Sequence, residues 1–390
     1  MFVPTLLGVD LATYSVATSM YECFGLKSYA FGRHRCGISY FSDLIRCEHD
    51  ENLLAEEVAK DILLRFAKRQ KQPCLLIPTT DWYVDLVLRL YDDLAPSFMI
   101  AVADRDIFYE FSKKERFYSA LDTHGIAHPK TKTFIVGEYI SSDTYPVIIK
   151  PSCSHEVASA HFEGQKKVYI AEDEESFHAI LALLLRHHRG KRYLIQPYLK
   201  AKQSFVLTIF AQKNHGVRGA SYAEVALEEI GDTSRGNYSA LLLRPIDDMA
   251  RKLITFCDAI GYDGIVNFDI IRTDEGDFVL DMNMRVGRSV DHLRGAGVKG
   301  ADFLFKSQNR SLPFPEKYIS VPVYWRTITD KKVLELCPSH LKEEIKEKIR
   351  HGFATSPYTP YARHPSPIER MYHTIHMARA TKATARAYKR

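Results

Sequence analysis

The sequence predicts an α/β protein that begins with an open parallel sheet and continues into a part of α+β character. Three observations support this prediction. Strand and helix signals alternate over residues 1–110, strand signals dominate after residue 190, and 390 residues are too many for one ordinary core. We therefore expect two or three domains.

Residues 1–110 carry the alternating pattern of a parallel sheet. The predicted strands are Thr5–Val9, Cys74–Ile77 and Met99–Val102, and the predicted helices are Thr13–Phe24, Glu51–Lys68 and Trp82–Leu90. Ligands of such sheets bind beyond the carboxyl ends of the strands. Thr80 and Asp81 follow one of these ends, so they are candidate ligand contacts. A helix N-cap before Trp82 explains them equally well.

Composition and charge exclude several classes of protein. The formal net charge of +5 is mild and gives no reason to expect nucleic-acid binding. No run of about 18 apolar residues predicts a membrane span, and the first residues lack the basic and small-residue signals of a signal peptide. The seven cysteines are scattered without a CxxC pair. We therefore expect a reduced cytoplasmic protein without a zinc site.

The middle of the chain contains a lysine followed by a small-residue loop. A helix rich in aromatic and basic residues is predicted to end at Gly125, and the buried strand PVIIK ends at Lys150. The next segment, Pro151–Gln165, is rich in small and polar residues. It could fold over phosphate groups, with hydroxyls from Ser152 and Ser154, or it could be an ordinary polar loop.

The segment Gly264–Ser289 predicts two strands joined by a turn. Asp269 lies in the first strand, and Asp281 and Asn283 end the second. The two aspartates are twelve residues apart, a spacing that a short hairpin can bring side by side. Carboxylate and amide oxygens suit magnesium, which usually sits between one or two carboxylates and substrate phosphates. A solvated hairpin that happens to carry charges is the alternative.

The last thirty residues form a basic tail. Residues 361–390 contain seven lysines and arginines against one acidic residue, Glu369. Such a tail could associate weakly with an anionic membrane surface, where each basic residue contributes about 1 kcal/mol. Most basic C-termini are simply solvated, and we favour that interpretation.

Four segments together resemble the ATP-grasp superfamily of carboxylate–amine ligases. They are SKKERF with Lys114, PVIIK with Lys150, the strand IQPYL, and the hairpin FDI…VLDMNMR. FEGQKKVY and NFDI…MNMRVGRS are most similar to bacterial D-aspartate ligases. The resemblance implies an ATP-grasp fold with residues 1–110 as the N-terminal parallel domain, 111–192 and 193–310 as the small and large ATP-grasp subdomains, and 311–390 as a C-terminal extension with the basic tail.

The resemblance also implies an activity and a role for each site residue. These enzymes convert a carboxylate to an acylphosphate with ATP, and an amine then attacks to give an amide. The residues implied to contact ATP are Lys114, Lys150, Ser152, Ser154, Gln196, Pro197, Tyr198, Leu199 and Gln203. Those implied to hold Mg²⁺ are Asp269, Asp281 and Asn283. Lys150, Arg285 and Arg288 are implied to be catalytic: Arg285 would stabilise the acylphosphate, and Arg288 would hold a substrate carboxylate.

Two positions depart from the family pattern. Asp281 stands where a glutamate is usual, so the metal geometry must adjust to a side chain one methylene shorter. The acidic residue that often holds the ATP ribose is absent, and Gln203 lies near its place. Lys113 also competes with Lys114 for the phosphate role.

The implied partners are an amino acid and an amine acceptor. D-aspartate ligases act on the lysine side chain of a peptidoglycan precursor, and we expect the same cell-wall substrate here. A ligase that makes dipeptides or peptide natural products is an alternative, and so is an ATP-binding protein without catalysis. The sequence predicts neither the chirality of the amino acid nor the oligomeric state.

Overall fold

A five-stranded parallel sheet begins the computed structural model, which describes residues 2–157, 162–231, 234–298, 300–302, 304, 317–359 and 365–389. Its strands are β1 Val3–Leu7, β2 Ser28–Gly32, β3 Ile45–His49, β4 Cys74–Pro78 and β5 Phe98–Ile100, in the order β3-β2-β1-β4-β5. Its helices are Leu11–Phe24, Gly37–Tyr40, Glu56–Arg69, Asp81–Arg89 and Tyr91–Leu94. All five residues of β4 are buried, as expected for a strand covered on both faces.

A smaller antiparallel sheet follows, with its own core. Its strands are β6 Lys132–Ile135, β7 Val147–Pro151, β8 Tyr169–Ala171 and β9 Arg192–Pro197, in the order β6-β9-β7-β8. The helix Glu174–His187 packs on this sheet through Phe177 and Leu184, and Asp173 caps its first turn. The helix predicted to end at Gly125 is instead two helices, Arg105–Phe111 and Lys114–Thr123.

The third sheet has eight strands in the described part of the chain. They are β10 Gln203–Gln212, β11 Gly216–Glu229, β12 Asn237–Arg244, β13 Gly264–Arg272, β14 Asp277–Asn283, β15 Lys317–Ile319, β16 Tyr324–Arg326 and β17 Ala354–Thr355. The order is β14-β13-β10-β11-β12-β16-β17, and β15 pairs with β11. The helix Asp248–Ala259 buries Leu253 and Phe256 against this sheet. Short 3₁₀ turns lie at His155–Val157, Arg288–Asp291 and Ser339–Leu341, and a short helix at His292–Gly295.

The C-terminal residues are built into this architecture. β16 and β17 extend the large sheet, and the helices Asp330–Leu336 and Lys342–Arg350 pack nearby. The predicted solvated tail is instead a helix, Pro367–Ala387, and Glu369 and His373 are buried in it. The expectation of a solvated tail was wrong because Glu369 accepts hydrogen bonds from residues of the N-terminal sheet domain. None of the described helices combines the length and apolar character that a membrane crossing requires.

Buried His292 predicts an acid-sensitive fold. Its side chain is fully buried, with Nδ1 2.6 Å from the carbonyl oxygen of Ser289 and Nε2 2.7 Å from Oγ of Ser221. Burial lowers the pKa of His292 from its ordinary 6.5 to about 4, against the opposing effects of the Ser289 carbonyl and the Asp291 carboxylate. As the pH falls, His292 therefore becomes protonated in the unfolded chain at a higher pH than in the folded protein.

The neutral imidazole should contribute its full stability above about pH 6.5 and lose it progressively toward pH 4. We expect it to account for about 2 kcal/mol of the fall in the free energy of unfolding between pH 7 and pH 5. Urea unfolding of wild type and His292→Gln at both pH values measures this difference. The glutamine variant should show a correspondingly smaller fall, and equal falls in both proteins would contradict the assignment.

Candidate active site

The site is built on the hairpin β13–β14. The strand register pairs Asp269 directly with Asp281, so both side chains lie on the same face. The register shifts between Asp269 and Ile270, which leaves Leu280 as an extra residue in β14. Its carbonyl oxygen accepts a hydrogen bond from the Tyr118 hydroxyl at 2.7 Å. The bulge therefore ties the hairpin to the helix Lys114–Thr123.

Two buried lysines face this hairpin. Nζ of Lys114 lies 3.0 Å from a carboxylate oxygen of Asp281. Nζ of Lys150 donates to the Tyr118 hydroxyl at 3.2 Å and to the Leu280 carbonyl at 3.3 Å. Lys150 lies next to the last residue of β7, and Lys114 is the first residue of a helix. Two separate elements therefore bring positive charge to one place.

The two lysines differ in how firmly they hold their protons. Burial opposes the charge on Lys114, but the adjacent Asp281 carboxylate outweighs it and raises the Lys114 pKa. Burial and the Lys114 ammonium group lower the pKa of Lys150 to about 8. Lys150 lacks a directly bonded carboxylate among its hydrogen-bond partners in the described chain, so an incoming anion such as a phosphate would stabilise its charged form.

The carboxylates likewise have unequal environments. Burial and the charge of Asp281 raise the pKa of Asp269. Burial also opposes the charge on Asp281, but Lys114 and Lys150 together lower its pKa. In Asn283, Nδ2 donates to Asp269 at 3.1 Å and Oδ1 accepts from Arg285 at 3.3 Å. The two opposed carboxylates form a hard-oxygen pair that fits Mg²⁺, and a cation there would relieve their repulsion. Asn283 would have to turn its amide to add a third oxygen, because its nitrogen now faces Asp269.

A cavity extends from the hairpin to the end of β9. Its lining includes Lys114, Lys150, Ser154, Gln196, Pro197, Leu199, Asp269 and Asp281 from the predicted site. Apolar side chains, among them Ile148, Phe205, Ile270 and Leu280, cover its walls. Gln196 is buried, and its amide donates to the Thr131 hydroxyl at 2.8 Å. A cavity that combines charged side chains with apolar walls suits the phosphates and the base of a nucleotide.

Three of the nine predicted ATP contacts lie outside this lining. The amide of Gln203 donates to Glu224 at 2.9 Å instead of facing the cavity. The hydroxyl of Ser152 donates to Glu115, and its side chain is buried. Tyr198 is 44% exposed, and its backbone N–H is already bonded to the Pro146 carbonyl at 3.0 Å.

Arg285 connects the hairpin to the parallel sheet. Its Nε donates to Oδ1 of Asp81 at 2.9 Å, and the Asp81 carboxylate raises the Arg285 pKa although burial opposes the charge. Asp81 begins the helix after β4, at the strand end where ligand contacts were predicted. The neighbouring Thr80 occupies the N-cap position of this helix, as one of the two interpretations predicted, but its side chain makes no cap bond. Its buried hydroxyl has no hydrogen-bond partner among the described residues.

Arg288 lies away from the hairpin cavity. Its NH2 group donates to Glu229 at 2.7 Å, and both residues line a second cavity beside the C-terminal helix. The two arginines therefore lie in different places. Arg285 contacts Asp81, and Arg288 lines the second cavity.

Four ionisable residues of the lining were not predicted from the sequence. The Tyr238 hydroxyl donates to Asp269, and burial raises the pKa of nearby Glu228. Lys167 and Arg235 add positive charge to the same cavity, and the charge of Lys167 favours the ionised forms of both Asp269 and Asp281. Lys167 belongs to the FEGQKKVY segment and could have been found from that resemblance. The others lie at the facing ends of β11 and β12, which no local signal marks.

Sequence comparison shows similarity to one ligase over most of the chain. No family model matches the sequence. The chain is similar to D-aspartate ligase of Enterococcus faecium (strain Aus0004), with 26% identity over 330 residues, covering 81% of this chain and 78% of that protein.

Solved structures give the same picture of the fold. The biotin carboxylase domain of Hydrogenobacter thermophilus 2-oxoglutarate carboxylase, in complex with MgADP, ADP and bicarbonate, superposes with a TM-score of 0.60 at 13% identity, covering 81% of this chain and 72% of that one. The L-amino acid ligase of Bacillus licheniformis gives a TM-score of 0.57 at 12% identity, covering 81% and 75%.

These similarities confirm the predicted ATP-grasp fold, with its mixed α/β content, and the predicted resemblance to D-aspartate ligases. The similarity to D-aspartate ligase also supports the predicted class of enzyme, a ligase that forms C–N bonds.

Proposed function

We propose that this ATP-grasp ligase attaches D-aspartate to the lysine side chain of a peptidoglycan precursor. The observation that carries the proposal is the pair Asp269 and Asp281, opposed on one hairpin and faced by the buried Lys114 and Lys150. The similarity to D-aspartate ligase over 81% of the chain supports the choice of amino acid.

Each group has a physical role in such a reaction. ATP would supply the phosphoryl group, and Mg²⁺ held by Asp269, Asp281 and Asn283 would neutralise phosphate charge. Lys150 would donate to phosphate oxygens, since its present partners are a hydroxyl and a carbonyl. Lys114 is held by Asp281 at 3.0 Å, so it would position that carboxylate as well as contact phosphate.

Arg285 would stabilise the charge that develops when the amine attacks the acylphosphate. Its guanidinium group is held by Asp81 and is 23% exposed, so it is oriented before substrate arrives. An amide forms, and inorganic phosphate leaves. We also propose that the protein works in the cytoplasm, where ATP is present and where its seven free cysteines would stay reduced.

Phosphate release from ATP and magnesium tests the proposal. Purified protein would be assayed with D- and L-amino acids, each with and without a UDP-linked muramyl pentapeptide. We expect release only when D-aspartate and the pentapeptide are both present, with a product heavier by one aspartyl residue. Release with other amino acid pairs would instead indicate a dipeptide or natural-product ligase. ATP binding without release under any pairing would favour a non-catalytic protein.

A further inference from the structure

A second cavity lies between the C-terminal helix and the end of β11. Its volume is about 650 Å³, and its walls come from the segment 34–38, the end of β11 and the helix Pro367–Ala387. Pockets of about 300–1,000 Å³ typically hold ligands of drug size. This space therefore suits a molecule considerably larger than a single amino acid.

The cavity is rich in positive charge. Its lining has one acidic residue, Glu229, which is paired with Arg288 at 2.7 Å. Arg35 and Arg379 also line it, and neither forms an ion pair with any residue of the described ranges. Arg35 lies over the ring of Tyr40 at 4.9 Å, which leaves its N–H groups available. Two arginines without carboxylate partners favour a ligand that carries negative charge.

The two cavities share a wall. Glu228 lines the hairpin cavity, and the next residue, Glu229, lines the second one. In the turn before β12, neighbouring residues again line different cavities: Ser234 lines the second cavity and Arg235 the first. A ligand of the second cavity would therefore be separated from the proposed nucleotide site only by this wall.

The helix Pro367–Ala387 is a fixed wall of this cavity. At one end, Glu369 accepts hydrogen bonds from Tyr14 at 3.0 Å, Ser42 at 3.2 Å and the backbone of Asp43 at 3.1 Å. Beyond the other end, the Tyr388 hydroxyl donates to the carbonyl of Glu228 at 3.0 Å. The helix thus spans from the parallel sheet to β11, and it places Arg379 between these two anchors.

We propose that this second cavity binds the amine acceptor, and that Arg35 and Arg379 select an acceptor carrying phosphate or carboxylate groups. The inference rests on the proposed ligase function and adds to it the location and charge of the acceptor site. It also gives the basic residues of the C-terminal helix a role other than contact with a membrane.

Arg379→Gln and Arg35→Gln test the proposal, with Arg370→Gln as the matched control. Arg370 is exposed on the same helix, about two and a half turns before Arg379 and therefore on the opposite side, and it does not line the cavity. Using a UDP-linked muramyl pentapeptide as the probe, we expect each cavity variant to raise the acceptor KM about tenfold, because a charged hydrogen bond is lost. The KM for ATP should not change, and Arg370→Gln should behave as wild type.

A binding measurement keeps this test separate from the test of the ligase. Calorimetric titration of the same probe into full-length protein without ATP should show the same weakening in Arg379→Gln. An active wild type with unchanged acceptor KM in both cavity variants would overturn the acceptor site but not the ligase. Absence of turnover together with probe binding that depends on Arg379 would overturn the ligase proposal instead. Weakened binding of Arg379→Gln to phosphatidylglycerol vesicles, with unchanged probe binding, would favour a membrane role and overturn the inference.

Discussion

Replacing Asp281 with asparagine is expected to lower kcat more than about 100-fold, since losing even an outer partner of a metal ligand costs about 10–100-fold in affinity or activity. The substitution keeps the shape of the side chain but removes its charge. Lys114, 3.0 Å away, would lose its only carboxylate partner within the described chain. Metal binding and the positioning of Lys114 would therefore be impaired together.

The measurement is phosphate release over a range of magnesium concentrations, with thermal unfolding as a check that the fold survives. Asp274→Asn is the matched control, because Asp274 lies in the turn of the same hairpin and, among the described residues, pairs only with exposed Lys202. That control should retain wild-type turnover. Near-normal turnover of folded Asp281→Asn at ordinary magnesium concentrations would refute the metal role.

Replacing Arg285 with alanine is expected to lower kcat by about 10²–10³, the usual loss when one preorganised donor to a developing negative charge is removed. The KM for ATP should change little, because Arg285 does not line the cavity of the proposed nucleotide site. Arg285→Lys should recover only part of the loss, since a lysine keeps the charge without the planar fork.

Asp81→Asn separates orientation from charge. It leaves the guanidinium group in place but removes the carboxylate that holds it at 2.9 Å, so we expect an intermediate kcat. Arg251→Ala, on the exposed face of the helix Asp248–Ala259, is the control for loss of an arginine. An Arg285→Ala enzyme that loses ATP affinity but not kcat would place Arg285 in nucleotide binding instead.

The hairpin could be predicted from sequence because its determinants are local. Alternating apolar residues define β13 and β14, and turn residues join them. The bulge at Leu280 was not predictable, since the groups that donate to its carbonyl, the Tyr118 hydroxyl and the Lys150 ammonium, lie outside the hairpin. The site thus combines a local element with contacts that only the folded chain supplies.

Contacts between strands had the same effect elsewhere. The resemblance placed Gln203 near the position of a ribose-holding residue, but its amide donates to Glu224 on the neighbouring strand β11, a contact that sequence spacing does not reveal. The C-terminal helix has apolar residues distributed around its axis, so it lacks the periodic face that marks a packed helix. Its docking depends on Glu369, a charged residue that the sequence suggests is solvated.

The anchoring of that helix determines which part of the molecule can open for nucleotide entry. A rotation of the parallel sheet against the eight-stranded sheet would have to break the hydrogen bonds of either Glu369 or Tyr388. The four-stranded sheet has a separate hydrophobic core, made by its own strands and the helix Glu174–His187. We therefore expect the four-stranded sheet to be the part that moves and to carry Lys150 with it. The parallel sheet and the eight-stranded sheet would stay fixed, which keeps Arg285 and the hairpin aligned through each cycle.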